Sequence, residues 1–202
     1  MALDTDRWTR MAREHLLDGA EVRRRTAEAC VHSIREAAEI IAQAFRIGSK
    51  VLLCGNGGSA ADCQHMATEF VSRLDQRVDR PALPAVALTT DTSFLTAFSN
   101  DVGFDGVFAR QVQALGRPGD VLVAISTSGR SRNVILAAET AHALKMRVVT
   151  LTGSQGWIGE PADVSITIPS EDTQYVQEAH LAVEHVLCAL VEAMLFSERG
   201  RR

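Results

Sequence analysis

The sequence predicts an α/β protein whose parallel sheet is covered by helices on both faces. Two observations carry that expectation. From Lys50 onward, five short apolar runs recur, and segments of helical character separate them. Most of these runs are continuously apolar rather than alternating, the texture of strands buried on both faces. A third feature sits before them: a long stretch, from about Asp6 to Ile47, with helical periodicity.

In that first stretch Ala27, Val31, Ile34, Ala38, Ile41 and Phe45 follow one another at steps of three and four, one side of a helix. Asp18-Gly19 predicts a break into two helices. The stripe is longer than a lone helix on a small sheet needs, which predicts packing against another subunit. The five strand candidates are Val51–Cys54, Ala85–Leu88, Val121–Ile125, Val148–Leu151 and Val164–Ile168, the last alternating. Helices are expected near Ser59–Leu74, Phe104–Leu115, Ser131–Leu144 and Thr173–Phe196. In such a sheet, ligands bind beyond the carboxyl ends of the strands, so the loops that follow the strands are the place to look.

Composition narrows the class. At 202 residues and 46% hydrophobic, the chain fits one domain with a sizeable core. A formal charge of −4 lacks the basic excess of a nucleic-acid surface. No apolar run approaches the length of a membrane span, and Met1 to Leu17 is mixed and charged, unlike a secretory signal. Cys30, Cys54, Cys63 and Cys188 form no CxxC pair and read as buried free thiols in a reducing compartment. The expectation is a soluble cytoplasmic protein with neither nucleic acid nor membrane as partner.

After the first strand the chain reads Cys54-Gly55-Asn56-Gly57-Gly58-Ser59 and then enters a helix. Glycines let backbone approach a ligand, Ser59 is a natural N-cap, and the free N–H groups at the helix start suit an anion. A tight strand–helix turn reads the same way. The loop is neither GxGxxG nor a P-loop. After the third strand, Ser126-Thr127-Ser128-Gly129-Arg130-Ser131 sets four hydroxyls around one glycine, again before a helix. That is a dense set of phosphate donors. Neither loop holds a nucleophile–base arrangement, so the serines are binding groups.

Two helices carry the remaining chemistry. His65 and Glu69, four apart, share a helix face, and Asp62 lies one turn before His65. On the final helix Gln177 and His185, eight apart, fit one broad face; His180 is further round and reads as structural. Spacing alone leaves alternatives open: a surface His–Glu pair, a core or interface histidine, a solvated helix start, or a divalent metal site. Zinc suits imidazole and carboxylate, whereas Gln is an uncommon zinc ligand.

With these motifs in hand, the sequence resembles the phosphoheptose isomerases, sedoheptulose 7-phosphate isomerases within the sugar isomerase (SIS) superfamily. The resemblance rests on the Gly-Asn-Gly-Gly-Ser loop, the Ser-Thr-Ser-Gly-x-Ser loop and the Gln-Glu-x-His-x4-His helix, and covers nearly the whole chain. It implies a three-layer α/β/α sandwich around a five-stranded parallel sheet, flavodoxin-like. Residues 1–202 would form one SIS domain, with 1–48 as a helical extension packing on it or on a neighbouring subunit. A homotetramer is implied, with active sites at subunit contacts. Sugar-phosphate contacts fall to Asn56, Gly57, Gly58, Ser59, Asn100 and Asp101, and the phosphate to Ser126, Thr127, Ser128 and Ser131. His65, Glu69, Gln177 and His185 become the set for one zinc ion per subunit, Gln177 also lying near substrate; Glu69 and His185 become the catalytic pair. The implied reaction is aldose–ketose isomerisation of sedoheptulose 7-phosphate to D-glycero-D-manno-heptose 7-phosphate through an enediol, towards heptose-containing cell-surface glycans.

The chain departs from the family pattern just before the Gln-Glu pair. Tyr175-Val176 stands where Arg-Ile is common, and Gln174 where an acidic residue is common. The rival reading is a non-catalytic SIS protein that binds phosphosugar and associates with the bacterial replication initiator. Such proteins share the Arg80-Pro81-Ala82-Leu83-Pro84 pattern but generally lack the full Glu69–His185 pair that this chain keeps.

Overall fold

A computed structural model describes residues 5–196, so the ends of the expected 1–202 domain, including the first residues of the 1–48 extension, lie outside the described residues. The order is α1 (Thr5–Arg46), β1 (Val51–Gly55), α2 (Gly58–Val71), β2 (Ala85–Ala87), α3 (Thr92–Asp101), a 3₁₀ turn (Phe104–Gly106), α4 (Val107–Leu115), β3 (Val121–Ser126), α5 (Arg132–Ala143), β4 (Arg147–Thr152), β5 (Val164–Thr167) and α6 (Thr173–Phe196). All five strands pair in parallel, in the order β2-β1-β3-β4-β5. The chain leaves β1 in one direction for β2 and returns to β3 on its other side. The topological switch point therefore lies between β1 and β3.

Strand residues alternate between two cores, as the pleat requires. Val51, Leu53, Val121, Val123 and Ile125 join Met66, Phe70, Ile41, Val183 and Leu187 beneath α1, α2 and α6. Leu52, Cys54, Leu122 and Ala124 join Val107, Phe108, Val112, Val134 and Ala137 beneath α4 and α5. Two filled faces explain why the strands read as unbroken apolar runs. The expected three-layer α/β/α sandwich is the observed fold. The four cysteines are free and buried.

Four expectations change. α1 is one helix of 42 residues, about 63 Å long, and does not break at Asp18-Gly19. An interior glycine weakens a helix by only about 1 kcal/mol relative to alanine. Here its missing side chain has a use, because a Cβ on Gly19 would collide with the Glu178 carboxylate. That carboxylate takes His15 Nε2 at 3.2 Å and Arg23 Nη1 at 3.3 Å, docking α1 on α6. Tyr175 adds to the same seam, its ring 4.9 Å from His15 and its hydroxyl donating to Asp18 Oδ2 at 3.5 Å.

α3 was absent from the expected elements. It has no fully buried residue, so no apolar stripe marks it; its signal is the cap, Asp91 Oδ1 accepting from Phe94 N at 2.9 Å. Ser59 is not an N-cap. Gly57 holds that position, and Ser59 is buried inside the first turn of α2. Finally, α6 is long and apolar enough to cross a bilayer by length and composition. Its apolar face instead packs on the sheet, through Val176, Ala179, Val183, Leu187 and Val191.

Candidate functional site

The loops after β1 and β3 flank the switch point, and a reciprocal amide pair joins them. Asn56 Nδ2 donates to Asn133 Oδ1 at 2.9 Å, and Asn133 Nδ2 returns the bond to Asn56 Oδ1 at 2.8 Å. Asn133 is buried in the first turn of α5 and also accepts from Val134 N at 3.0 Å. Sequence reasoning missed it; the available signal was an asparagine just inside a helix start, where a side-chain oxygen satisfies a free N–H.

The β3 loop is tightly organised. Ser126 Oγ lies 2.9 Å from Ser131 Oγ and 3.5 Å from Ser128 Oγ, and Arg130 N donates to Ser128 Oγ at 3.2 Å. Gly129 adopts φ 65° and its N–H closes the turn on Ser126 O at 3.0 Å. The segment after β4 buttresses this loop: Gly153 N donates to Thr127 O at 2.9 Å and Ile158 N to Gly129 O at 3.3 Å. Hydroxyls at the start of the 12-residue α5 are donors of the kind that suit an anion.

α2 and α6 lie side by side and parallel, Gly58 beside Gln177 and His65 beside His185. The Gln177 amide rests against Gly58 in the room its absent side chain leaves. Seven residues on, His65 Nε2 is 2.8 Å from His185 Nε2 and 3.7 Å from Glu69 Oε1. One donor atom each from His65, Glu69 and His185 lie within 4.8 Å of one another. Two imidazoles and a carboxylate suit a first-row divalent cation. Asn100 and Asp101 stand apart from these groups. They are exposed at the end of α3, Asn100 Nδ2 donating to Asp101 Oδ1 at 2.8 Å.

Near the triad lie one buried and one half-buried carboxyl, Glu184 and Asp62. Glu184 is fully buried with neither oxygen hydrogen-bonded, and burial, then the charge of Asp62, pushes it up to about 9. Burial raises Asp62 to about 6, against an opposing pull from His65. Glu184 is therefore a neutral acid at pH 7, which lets it sit in an apolar wall. The sequence signal was a glutamate inside Val183-Glu184-His185-Val186-Leu187.

His180 faces the core, its Nε2 3.3 Å from Thr152 O, and burial lowers it to about 4. Above pH 6.5 the ring is neutral in both folded and unfolded chains. As pH falls towards 4, only the unfolded chain takes up the proton, so stability is lost across that window, by up to about 3 kcal/mol. Urea midpoints measured from pH 7.5 to 4.5 are expected to fall less for His180→Gln than for the parent chain. Parallel pH profiles would show that His180 is not the group responsible.

These features define the class. The SIS-domain family model matches residues 16–153. A phosphoheptose isomerase of Roseiflexus sp. is 50% identical over 195 residues, covering 96% of this chain and 98% of its own length. Phosphoheptose isomerase structures from Neisseria gonorrhoeae and Francisella tularensis superpose with TM-scores of 0.85 and 0.86. Their identities are 42% and 35%, over 92% and 91% of this chain and 99% and 97% of theirs. The chain belongs to the phosphoheptose isomerase family.

Proposed function

We propose that this protein is an aldose–ketose isomerase that converts sedoheptulose 7-phosphate to D-glycero-D-manno-heptose 7-phosphate, at the entry to heptose for lipopolysaccharide or capsule. The observation that carries this reading is the meeting of His65, Glu69 and His185 within 4.8 Å, next to two loops suited to a phosphorylated sugar.

The phosphate docks on Ser126, Thr127, Ser128 and Ser131 at the start of α5. The carbon chain then crosses the switch point past Asn56, Gly57, Gly58 and Ser59, with Gln177 at its side. Asn100 and Asp101, exposed at the end of α3, are the remaining proposed sugar contacts. Phosphate binding orients the reacting end, and orientation supplies up to about 7–11 kcal/mol in ideal cases. Glu69 removes a proton from C1 as a proton is added to the C2 oxygen, giving the enediol. Loss of the proton on the C1 oxygen and return of one to C2 complete the aldose. His185 carries the proton between the two oxygens, the division between glutamate base and histidine partner that triosephosphate isomerase also uses.

His65, Glu69 and His185 would hold one zinc ion, with Gln177 as the proposed fourth donor. Zinc would supply Lewis-acid polarisation of the substrate oxygens. α1 (Thr5–Arg46) would extend one SIS domain towards a neighbouring subunit. Exposed Trp8, Met11, Leu16 and Leu17 on α1 support a homo-oligomer, read as a tetramer. Free buried cysteines support a cytoplasmic setting.

The deciding experiment is a direct assay for loss of sedoheptulose 7-phosphate with purified protein, before and after chelator treatment. Turnover that falls with the chelator and returns with zinc is expected. Sugar-phosphate binding without turnover, in zinc-loaded protein, would favour the non-catalytic reading. Turnover indifferent to the chelator would remove zinc from the mechanism.

A further inference from the structure

We propose that Arg80 and Glu192 are positioning residues for this reaction, a buried clamp that sets α2 against α6 and so sets Glu69 and His65 against His185. The inference rests on the isomerase reading above. Neither residue is hydrogen-bonded to a side chain of the triad; both act through the backbone that carries it.

The clamp begins where α2 ends. The last carbonyls of a helix have no intrahelical donor and need another partner. Arg80 supplies it: Nη2 donates to Glu69 O at 2.7 Å, and Nη1 to Phe70 O at 2.9 Å and Pro81 O at 3.0 Å. The carbonyl so gripped belongs to the proposed base itself. A cation at a helix C-terminus is also favoured by the helix dipole. Arg80 Nε then donates to Glu192 Oε1 at 2.7 Å. Glu192 lies two turns beyond His185 on α6, and it receives Leu74 N at 3.0 Å and Asp75 N at 3.3 Å as well. One guanidinium thus links the backbone of Glu69 to the helix of His185.

Burial decides what the clamp is for. The side chains of Arg80 and Glu192 are 0% and 4% exposed. An ion pair this deep costs desolvation that its attraction roughly offsets, so stability alone would be served as well by an apolar pair. What an apolar pair cannot reproduce is a fork of directed N–H donors at fixed angles. The triad needs that kind of constraint. His65 and His185 are 120 positions apart in sequence yet 2.8 Å apart in space, so a slide between α2 and α6 separates them. The serine loop after β3 leads into α5, which is neither of the two helices the clamp joins.

The test compares Arg80→Lys, Glu192→Gln and the apolar double variant Arg80→Met/Glu192→Leu with the parent. Each is measured for kcat, KM, thermal midpoint and the zinc affinity of stripped protein by chelator competition. The expected result is a fall of about 10–100-fold in kcat and in zinc affinity, with KM changed less than about threefold. The double variant is expected to regain thermal stability without regaining kcat. Parent-like kcat and zinc affinity in folded single variants would overturn the proposal. So would recovery of kcat together with stability in the double variant, because the pair would then be a fold staple only. If the single variants do not fold, the double variant alone decides by the same criterion. Failure of the isomerase reading is separate: the parent protein would then show no turnover.

Discussion

Glu69→Gln is expected to lower turnover of sedoheptulose 7-phosphate by about 10²–10⁴-fold, the range that general-base removal commonly costs. The amide keeps the shape of the side chain but cannot take a proton from carbon. Glu69 sits near the C-terminal end of α2 with its side chain 18% exposed, screened from solvent yet open towards His65 and His185. Affinity for the sugar phosphate is expected to persist, because the loops after β1 and β3 are untouched. Calorimetric titration with substrate measures that half of the prediction. Wash-in of solvent deuterium at C1 measures the other half, since a proton taken by the base can exchange with solvent before one is returned to carbon. Metal content is followed in parallel, because the same carboxylate is a donor to the triad. A variant with near-normal turnover, or one that still exchanges deuterium at the parent rate, would take the role of base away from Glu69.

The second large effect is expected from a single methyl group. Gly129→Ala is expected to raise KM for the sugar phosphate at least about tenfold, equivalent to about 1.4 kcal/mol. It is also expected to destabilise the fold by about 1–3 kcal/mol. Gly129 stands at φ 65°, a region that disfavours any side chain. Its Cβ would collide with the carbonyl oxygen of Gly156 and come within 2.8 Å of that residue's carbonyl carbon and 3.2 Å of Trp157 Cα. These are backbone atoms and cannot rotate aside. Either the serine loop or the segment after β4 must move, and the Oγ array of Ser126, Ser128 and Ser131 moves with it. Gly48→Ala is the control. Gly48 has φ 79° but open space around it, so it carries the backbone cost without the collision. Gly48→Ala is expected to leave KM unchanged. Equal KM values for the two variants would show that the close packing of Gly129 does not shape the phosphate loop.

Much of the fold was legible because its signals are local. α6 runs from Thr173 to Phe196, as its periodicity predicts, and each expected strand overlaps an observed one. A buried parallel strand writes itself as an apolar run, and a helix on a core writes itself as a stripe. α3 left no such record because it buries no residue completely, and only the cap at Asp91 marks it. The unbroken α1 shows the opposite error. Gly19 looks like punctuation locally, but its meaning comes from Glu178, 159 positions later. Ser59 fits the N-cap preference, yet Gly57 takes the cap and Ser59 turns inward.

The candidate site divides in the same way. The loops Asn56–Ser59 and Ser126–Ser131 stand out in sequence because small and hydroxyl residues follow buried strands. The i,i+4 spacing of His65 and Glu69 puts them on one helix face without further information. By itself, then, the sequence determined the alternation of strands and helices, the two loops and the chemical types of the donors. Only the tertiary structure decided that His65 meets His185, that Asn56 pairs with Asn133, that Glu184 is buried as a neutral acid and that Arg80 joins Glu69 to Glu192. The physical reason is range. Propensity, periodicity and capping act within a turn or two of the chain, whereas the register of α2 against α6 arises from packing between residues more than a hundred positions apart.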